Sequence, residues 1–132
     1  MKTTLLTLGL LLAAAPAFAA ENVTPQMLAT YKGQGAGAPN ADHGKAMWTQ
    51  TKFNQEAGKD VNCATCHGTD LSKAGKHAKT GKEIGAMSPK VNPERYTDAA
   101  KIEKWFGRNC KWTYGRECTA QEKADFLAFL NR

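Results

Sequence analysis

The clearest periodicity lies at the C-terminus, where Phe126, Leu127, Phe129 and Leu130 fall at the spacing of one helical face. Thr119, with Glu122 three residues later, forms the capping box that opens such a helix. A second helical pattern starts at Thr97 or Asp98, either of which can act as N-cap. It runs to about Gly107 with Ile102, Trp105 and Phe106 as its apolar side. Another begins near Asn40 and continues to about Lys52, carrying Gly44 and Trp48 one turn apart. Thr24-Pro25 predicts a short first helix, with Thr as N-cap and Pro in the first turn, closed by Gly33. Between these patterns, residues 33–39 form a Gly-rich connector and residues 53–62 a polar exposed loop. Residues 68–93 hold too many Gly, Lys, Ser and Pro for a long element. No segment alternates as a strand does, so the pattern predicts an all-α domain of about four helices.

The N-terminus follows a different rule. Lys2 precedes an apolar stretch from Leu5 to Ala15, and Ala17-Phe18-Ala19 reads as an A-x-A cleavage site. Residues 1–19 therefore read as a signal peptide, and residues 20–132 as one exported domain, most simply periplasmic. The apolar stretch is short for a membrane crossing.

Candidate chemistry centres on five residues between the second and third long helical patterns. Cys63-Ala64-Thr65-Cys66-His67 is the C-x-x-C-H signature of c-type haem attachment. Two thiols three positions apart can each add to one vinyl group of the same porphyrin. The histidine after the second thiol is then held where its imidazole can bind iron. A redox dithiol does not require that histidine, and a zinc site needs a fourth ligand with finger-like spacing. The motif occurs once, which predicts one covalent haem c.

Charge adds a partner. The 132-residue chain carries a formal +6, to which Lys2 contributes one. Lys73, Lys76, Lys79 and Lys82 recur at every third position after the motif, and Lys90 follows. A basic surface beside a haem steers an acidic redox protein, whereas a solvated loop would carry the same lysines with no specific role. Nucleic acid is a poor partner for this run, which has no interleaved aromatics.

The arrangement resembles the class I cytochrome c fold. In that family an N-terminal helix with a small residue and an aromatic one turn later crosses an aromatic C-terminal helix. Gly44 and Trp48 against Phe126 and Phe129 match it, since a glycine lets two backbones approach. The resemblance implies about four helices around one covalently bound haem, with His67 as one axial ligand.

Several residues are candidates for the other axial position. Met is the common choice in electron-transfer cytochromes, and Met87 lies 20 residues past His67 in a Met-Ser-Pro run. Met27 and Met47 precede the motif, where methionine packs cores. His43 and His77 sit among polar residues and read as surface histidines. Asn109 lies 42 residues past His67, and by spacing alone it reads as the cap of the third long helix.

The surrounding sequence bears on that choice. Gly107-Arg108-Asn109-Cys110, followed after seven residues by Cys118, resembles the sphaeroides haem protein (SHP) family of oxygen-binding cytochromes c. The likeness extends through Gly81-Lys82-Glu83-Ile84, Thr97-Asp98, Glu103-Lys104-Trp105, Gly115-Arg116 and Lys123-Ala124-Asp125. In that family the asparagine before the first of these cysteines is the sixth ligand, which implies Asn109 here. The related cytochrome c″ family has histidine there. Cys110 and Cys118 lack an adjacent histidine, and in an oxidising periplasm they are expected to form a disulfide.

Three functions compete at this point. One is an electron-transfer cytochrome whose asparagine ligand opens the ferrous haem to O2, NO or CO. The second is a plain carrier ligated by Met87 or a histidine. The third is a small peroxidase or reductase, for which no distal acid–base pair is evident; Arg108 alone is a thin basis. The expectation is a monomeric, non-enzymatic protein. The resemblance implies a dihaem cytochrome c or a membrane cytochrome b as its redox partner.

Overall fold

Residues 20–132 are described by a computed structural model; the signal peptide expected at residues 1–19 lies outside the described residues. Among them run α1 (Thr24–Gly33), α2 (Ala41–Thr49), β1 (Lys52–Asn54), β2 (Lys59–Val61), α3 (Ala64–His67), β3 (Gly75–Lys76), β4 (Glu83–Ile84), α4 (Ala99–Tyr114) and α5 (Ala120–Leu130). The fold is mostly helical, as the periodicity predicts. The fifth helix is the single turn made by the haem motif itself.

The central packing is α2 across α5. Asn40 caps α2 by accepting from the N–H groups of Asp42 and His43. At the crossing Gly44 meets the backbone of Asp125, where a Cβ would fall 2.2 Å from the carbonyl oxygen. One turn later Trp48 packs edge-on against Phe126 and Phe129, with ring centroids 6.4 and 5.9 Å away. The crossing expected from Gly44, Trp48, Phe126 and Phe129 is therefore present. α1 packs on α5 from the outside through buried Met27 and Tyr31. The Thr119–Glu122 capping box opens α5, with both reciprocal bonds formed.

Four local expectations are corrected. Thr24 is the first helical residue of α1 and not its cap; its N–H is taken by the Asn22 side chain. α2 stops at Thr49, short of Lys52. The polar stretch after it is an antiparallel hairpin, β1 on β2, in the register Lys52↔Val61 and Asn54↔Lys59. A second small hairpin pairs β3 with β4. Neither carries a long alternating face, which is why periodicity does not reveal them.

The fourth correction bears on the site. α4 does not end near Gly107 but continues to Tyr114, where Gly115 takes the left-handed conformation (φ 69°) and donates to the Lys111 carbonyl. A glycine inside a helix costs about 1 kcal/mol. Burying Cys110 and Thr113 on the same face as Ile102 outweighs that cost. Asn109 is thus an interior residue of α4 and caps nothing.

Candidate cofactor site

The haem motif is a turn anchored at both ends. The Asn62 side chain accepts from the Thr65 N–H at 2.9 Å and donates to the Thr49 carbonyl at 3.1 Å, tying the turn to the end of α2. His67 N–H closes on the Cys63 carbonyl at 3.2 Å. The Trp48 indole donates to the Gly68 carbonyl at 2.8 Å and fixes the exit. β3 lies against the turn, with the Gly75 backbone touching the Cys66 carbonyl. Cys63 and Cys66 fall three apart on a helical turn, so both thiols leave from one side.

That side opens on a cavity of about 750 Å³, within the range of cofactor pockets, roughly 300–1,000 Å³. Cys63, Cys66 and His67 line it, as do Trp48, Phe126 and Leu130. α4 supplies another wall through Ile102, Trp105, Phe106, Asn109, Trp112 and Thr113. Asn109 and His67 therefore share one cavity. Trp105, expected on the apolar side of the helix, is partly exposed at 44%, with the Arg108 guanidinium over its ring.

Electrostatics suit a ligand more than a redox dithiol. Burial, with the nearby Arg95 charge adding to it, pushes His67 down to about 4. The imidazole is thus neutral, with a lone pair available to a metal. Its Nδ1 is buried and has no hydrogen-bond partner. Burial pushes Cys63 up to about 11, against hydrogen bonds to Tyr114 and Thr113. Dithiol oxidoreductases need the opposite shift. Among the described residues no three His, Cys, Asp or Glu side chains gather into a metal-holding group, so a zinc site has no ligand set.

The remaining axial candidates separate. Met87 lines the cavity, and its N–H and that of Ser88 donate to the Leu71 carbonyl at 2.9 and 2.8 Å. Its own carbonyl accepts from the Tyr96 hydroxyl at 2.8 Å. His77 also lines the cavity, with Nδ1 accepting from the N–H groups of Lys79 and Thr80. His43 faces elsewhere, its Nδ1 2.7 Å from Asp125 Oδ2. Met27 and Met47 are buried core residues. Cys110 and Cys118 form the expected disulfide, which ties the last turns of α4 to the start of α5.

A family model described as a domain of unknown function (DUF1924) matches residues 34–130. The cytochrome c-type protein SHP of Cereibacter sphaeroides is 46% identical over 120 residues, which span 89% of each chain. This chain belongs to the SHP family of c-type cytochromes. The structure of oxidized SHP, an oxygen-binding cytochrome c, superposes with a TM-score of 0.74 at 40% identity, covering 82% of this chain and 95% of that one. The solution structure of Methylophilus methylotrophus cytochrome c″, described for its haem-ligand detachment, gives 0.69 at 32% identity over 81% and 90%. As an SHP-family cytochrome the chain takes haem c. The residues present fit that group: a largely apolar cavity lined by the two motif cysteines and by a neutral imidazole whose Nδ1 is buried.

Sequence reasoning missed three contributors. Arg95 lines the cavity while donating to the Ala86 and Gly85 carbonyls. Tyr114 lines it and donates to the Met47 carbonyl at 2.7 Å. Asn54 reaches from β1 to the end of α4. None carries a motif; Asn54 and Tyr114 act through contacts far apart in the chain, and Arg95 through a loop nine to ten residues back.

Proposed function

We propose that this protein is an exported, monomeric electron-transfer cytochrome in which Asn109 binds ferric iron and leaves on reduction, admitting O2, NO or CO. The observation that carries the reading is Asn109 on the cavity it shares with His67. Met87 lines the same cavity, with its backbone held by Leu71 and Tyr96; the SHP resemblance of the segment around Asn109 favours asparagine over a methionine-ligated carrier.

Haem c, when bound, would supply the one-electron couple. Cys63 and Cys66 would hold the haem through thioethers to its two vinyl groups, and His67, held neutral, would offer its lone pair to the iron. Asn109 offers an amide oxygen, a hard and weak donor that suits ferric iron better than the softer ferrous ion. Its backbone stays inside α4, so release needs only a side-chain rotation and no unwinding. Trp105, Phe106 and Trp112 wall the space it leaves. A neutral diatomic molecule then meets an apolar pocket with no strong ligand to displace. The described behaviour of the relatives, oxygen binding in SHP and haem-ligand detachment in cytochrome c″, supports the same reading.

Peroxidase chemistry is disfavoured because His77 Nδ1 is already engaged by two backbone N–H groups and no carboxylate orients the ring. The chain is thus an electron-transfer and ligand-binding protein, not an enzyme, and works in the periplasm. A dihaem cytochrome c or a membrane cytochrome b is the partner implied by the family resemblance.

Anaerobic spectra of oxidised and dithionite-reduced protein, with and without CO, test the proposal. The ferrous form should be high-spin and bind CO quickly. Asn109→Ala should open the ferric form to azide while leaving the haem covalently attached. A ferrous spectrum that stays low-spin and ignores CO overturns the ligand switch.

A further inference from the structure

Asn54 is a buried amide that the chemistry above does not use. At 7% exposure it has both ends engaged. Its Oδ1 accepts from the Ala57 N–H at 2.7 Å within the hairpin, and its Nδ2 donates to the Trp112 carbonyl at 2.5 Å. Trp112 lies in the last turn of α4, where carbonyls have no partner further along the helix. The bond spans 58 residues and joins two segments that both lead to the cofactor.

On one side, β1 pairs with β2, which ends at Val61 and runs through Asn62 into Cys63. On the other, Trp112 stands three residues beyond Asn109, so the two are neighbours on one helical face, and both line the cavity. The Cys110–Cys118 bridge holds the same helix end from α5, and Tyr114 holds it from α2. Asn54 ties it by a side-chain hydrogen bond to the strand pair that leads into the haem motif.

We propose that Asn54 is a positioning residue for the sixth ligand: by fixing the end of α4 to the hairpin before Cys63, it sets how readily Asn109 occupies the ferric iron. The inference rests on the assignment of Asn109 as ligand. An amide is a weak ligand, so its occupancy depends on small displacements of the helix that carries it. Sites of this kind lose function when their support is left about 1 Å loose. Once reduction has released Asn109, the same bond should matter little.

The test uses holoprotein carrying Asn54→Asp, which keeps the Ala57 contact but turns the donor facing Trp112 into an acceptor. Asn54→Ser, which withdraws the donor without adding charge, serves if the first variant does not assemble. Both should raise the high-spin fraction of the ferric spectrum. Azide affinity of the ferric form should rise about tenfold, at the low end of supporting-shell effects. CO association with the ferrous form should stay within about twofold, since Asn109 is already off the iron. In an Asn109→Ala background the Asn54 changes should move azide affinity no further. Wild-type ferric spectra and azide affinity in both variants, even with a lowered melting temperature, would reduce Asn54 to a structural bond and overturn the proposal. The two readings fail separately. If Asn109→Ala leaves the ferric spectrum unchanged, the ligand assignment falls and this inference with it. If Asn109→Ala opens the ferric form while the Asn54 variants do not, only the positioning role falls.

Discussion

Gly44 and Asp125 touch through bare backbone: the Cβ that Gly44 lacks would fall 2.2 Å from the Asp125 carbonyl oxygen and 2.6 Å from its carbon. The same Asp125 turns its buried carboxylate back to α2. There it accepts from the Asn40 N–H at 2.7 Å and faces His43 Nδ1 at 2.7 Å, while Gln121, one turn back on α5, donates to it at 2.8 Å. The α2–α5 crossing is thus made by a missing side chain on one helix and a buried acceptor on the other. Gly44→Ala forces the helices apart and should destabilise the holoprotein by about 1–3 kcal/mol, the usual range for overpacking. Denaturant titration of the haem-loaded protein measures it, and a loss below about 0.5 kcal/mol would show that the crossing yields easily.

The Cys110–Cys118 disulfide closes a short loop with both sulfurs in the core. Its removal by paired Ser substitutions should cost about 2–3 kcal/mol on the chain-entropy model. Because Cys110 follows Asn109 directly, the ferric spectrum of the paired variant should also shift toward high spin. Stability lost with the ferric spectrum unaltered would confine the bridge to a structural role.

Two carboxylates tie stability to acid pH. The Arg116 guanidinium holds the Glu122 carboxyl below the usual range, against burial. Burial pushes Glu103 upward, but hydrogen bonds from Lys123 and Tyr31 outweigh it and hold that group low as well. Both folded-state values lie below the unfolded one of about 4.3. Their stabilisation is therefore complete above that pH and is lost as pH falls below it through the folded values. The melting temperature should drop on acidification below about pH 4.3. Glu103→Gln and Glu122→Gln should each flatten that drop, the latter keeping its capping geometry because Gln also serves in the box. Melting curves from pH 3 to 6, a window of roughly one and a half units around the unfolded value, decide it; an unaltered slope in both variants refutes the assignment.

The lysine run divides on the surface. Lys73 faces Asp70 at 3.6 Å and Lys79 pairs with Glu56. Among the described residues Lys76 and Lys82 make no salt bridge, and Lys82 lies on the cavity rim. If this face receives an acidic redox partner, Lys76→Glu with Lys82→Glu should slow association about tenfold at low ionic strength and flatten its salt dependence. Stopped-flow electron transfer across a salt series reads both quantities. Equal rates in variant and wild type would leave the run a solvated loop.

Some of this protein is decided by residues adjacent in the chain. Cys63, Cys66 and His67 are readable as the candidate attachment site because two thioethers and an axial base on one porphyrin demand contiguous residues. The capping box of Thr119 and Glu122, and the aromatic face of α5, are readable because helix caps and faces obey spacings of three and four. The continuation of α4 through Gly107 is not readable. A local cost of about 1 kcal/mol is overruled by burial and by a disulfide partner eight residues on. The tie of Met87 to Leu71, the His43–Asp125 contact and the Asn54–Trp112 bond are equally silent in the chain. Each joins groups whose meeting depends on packing elsewhere. The motif determined the candidate attachment residues; tertiary structure decided which candidate ligands line the cavity beside them, because that depends on which face of a long helix folds over it.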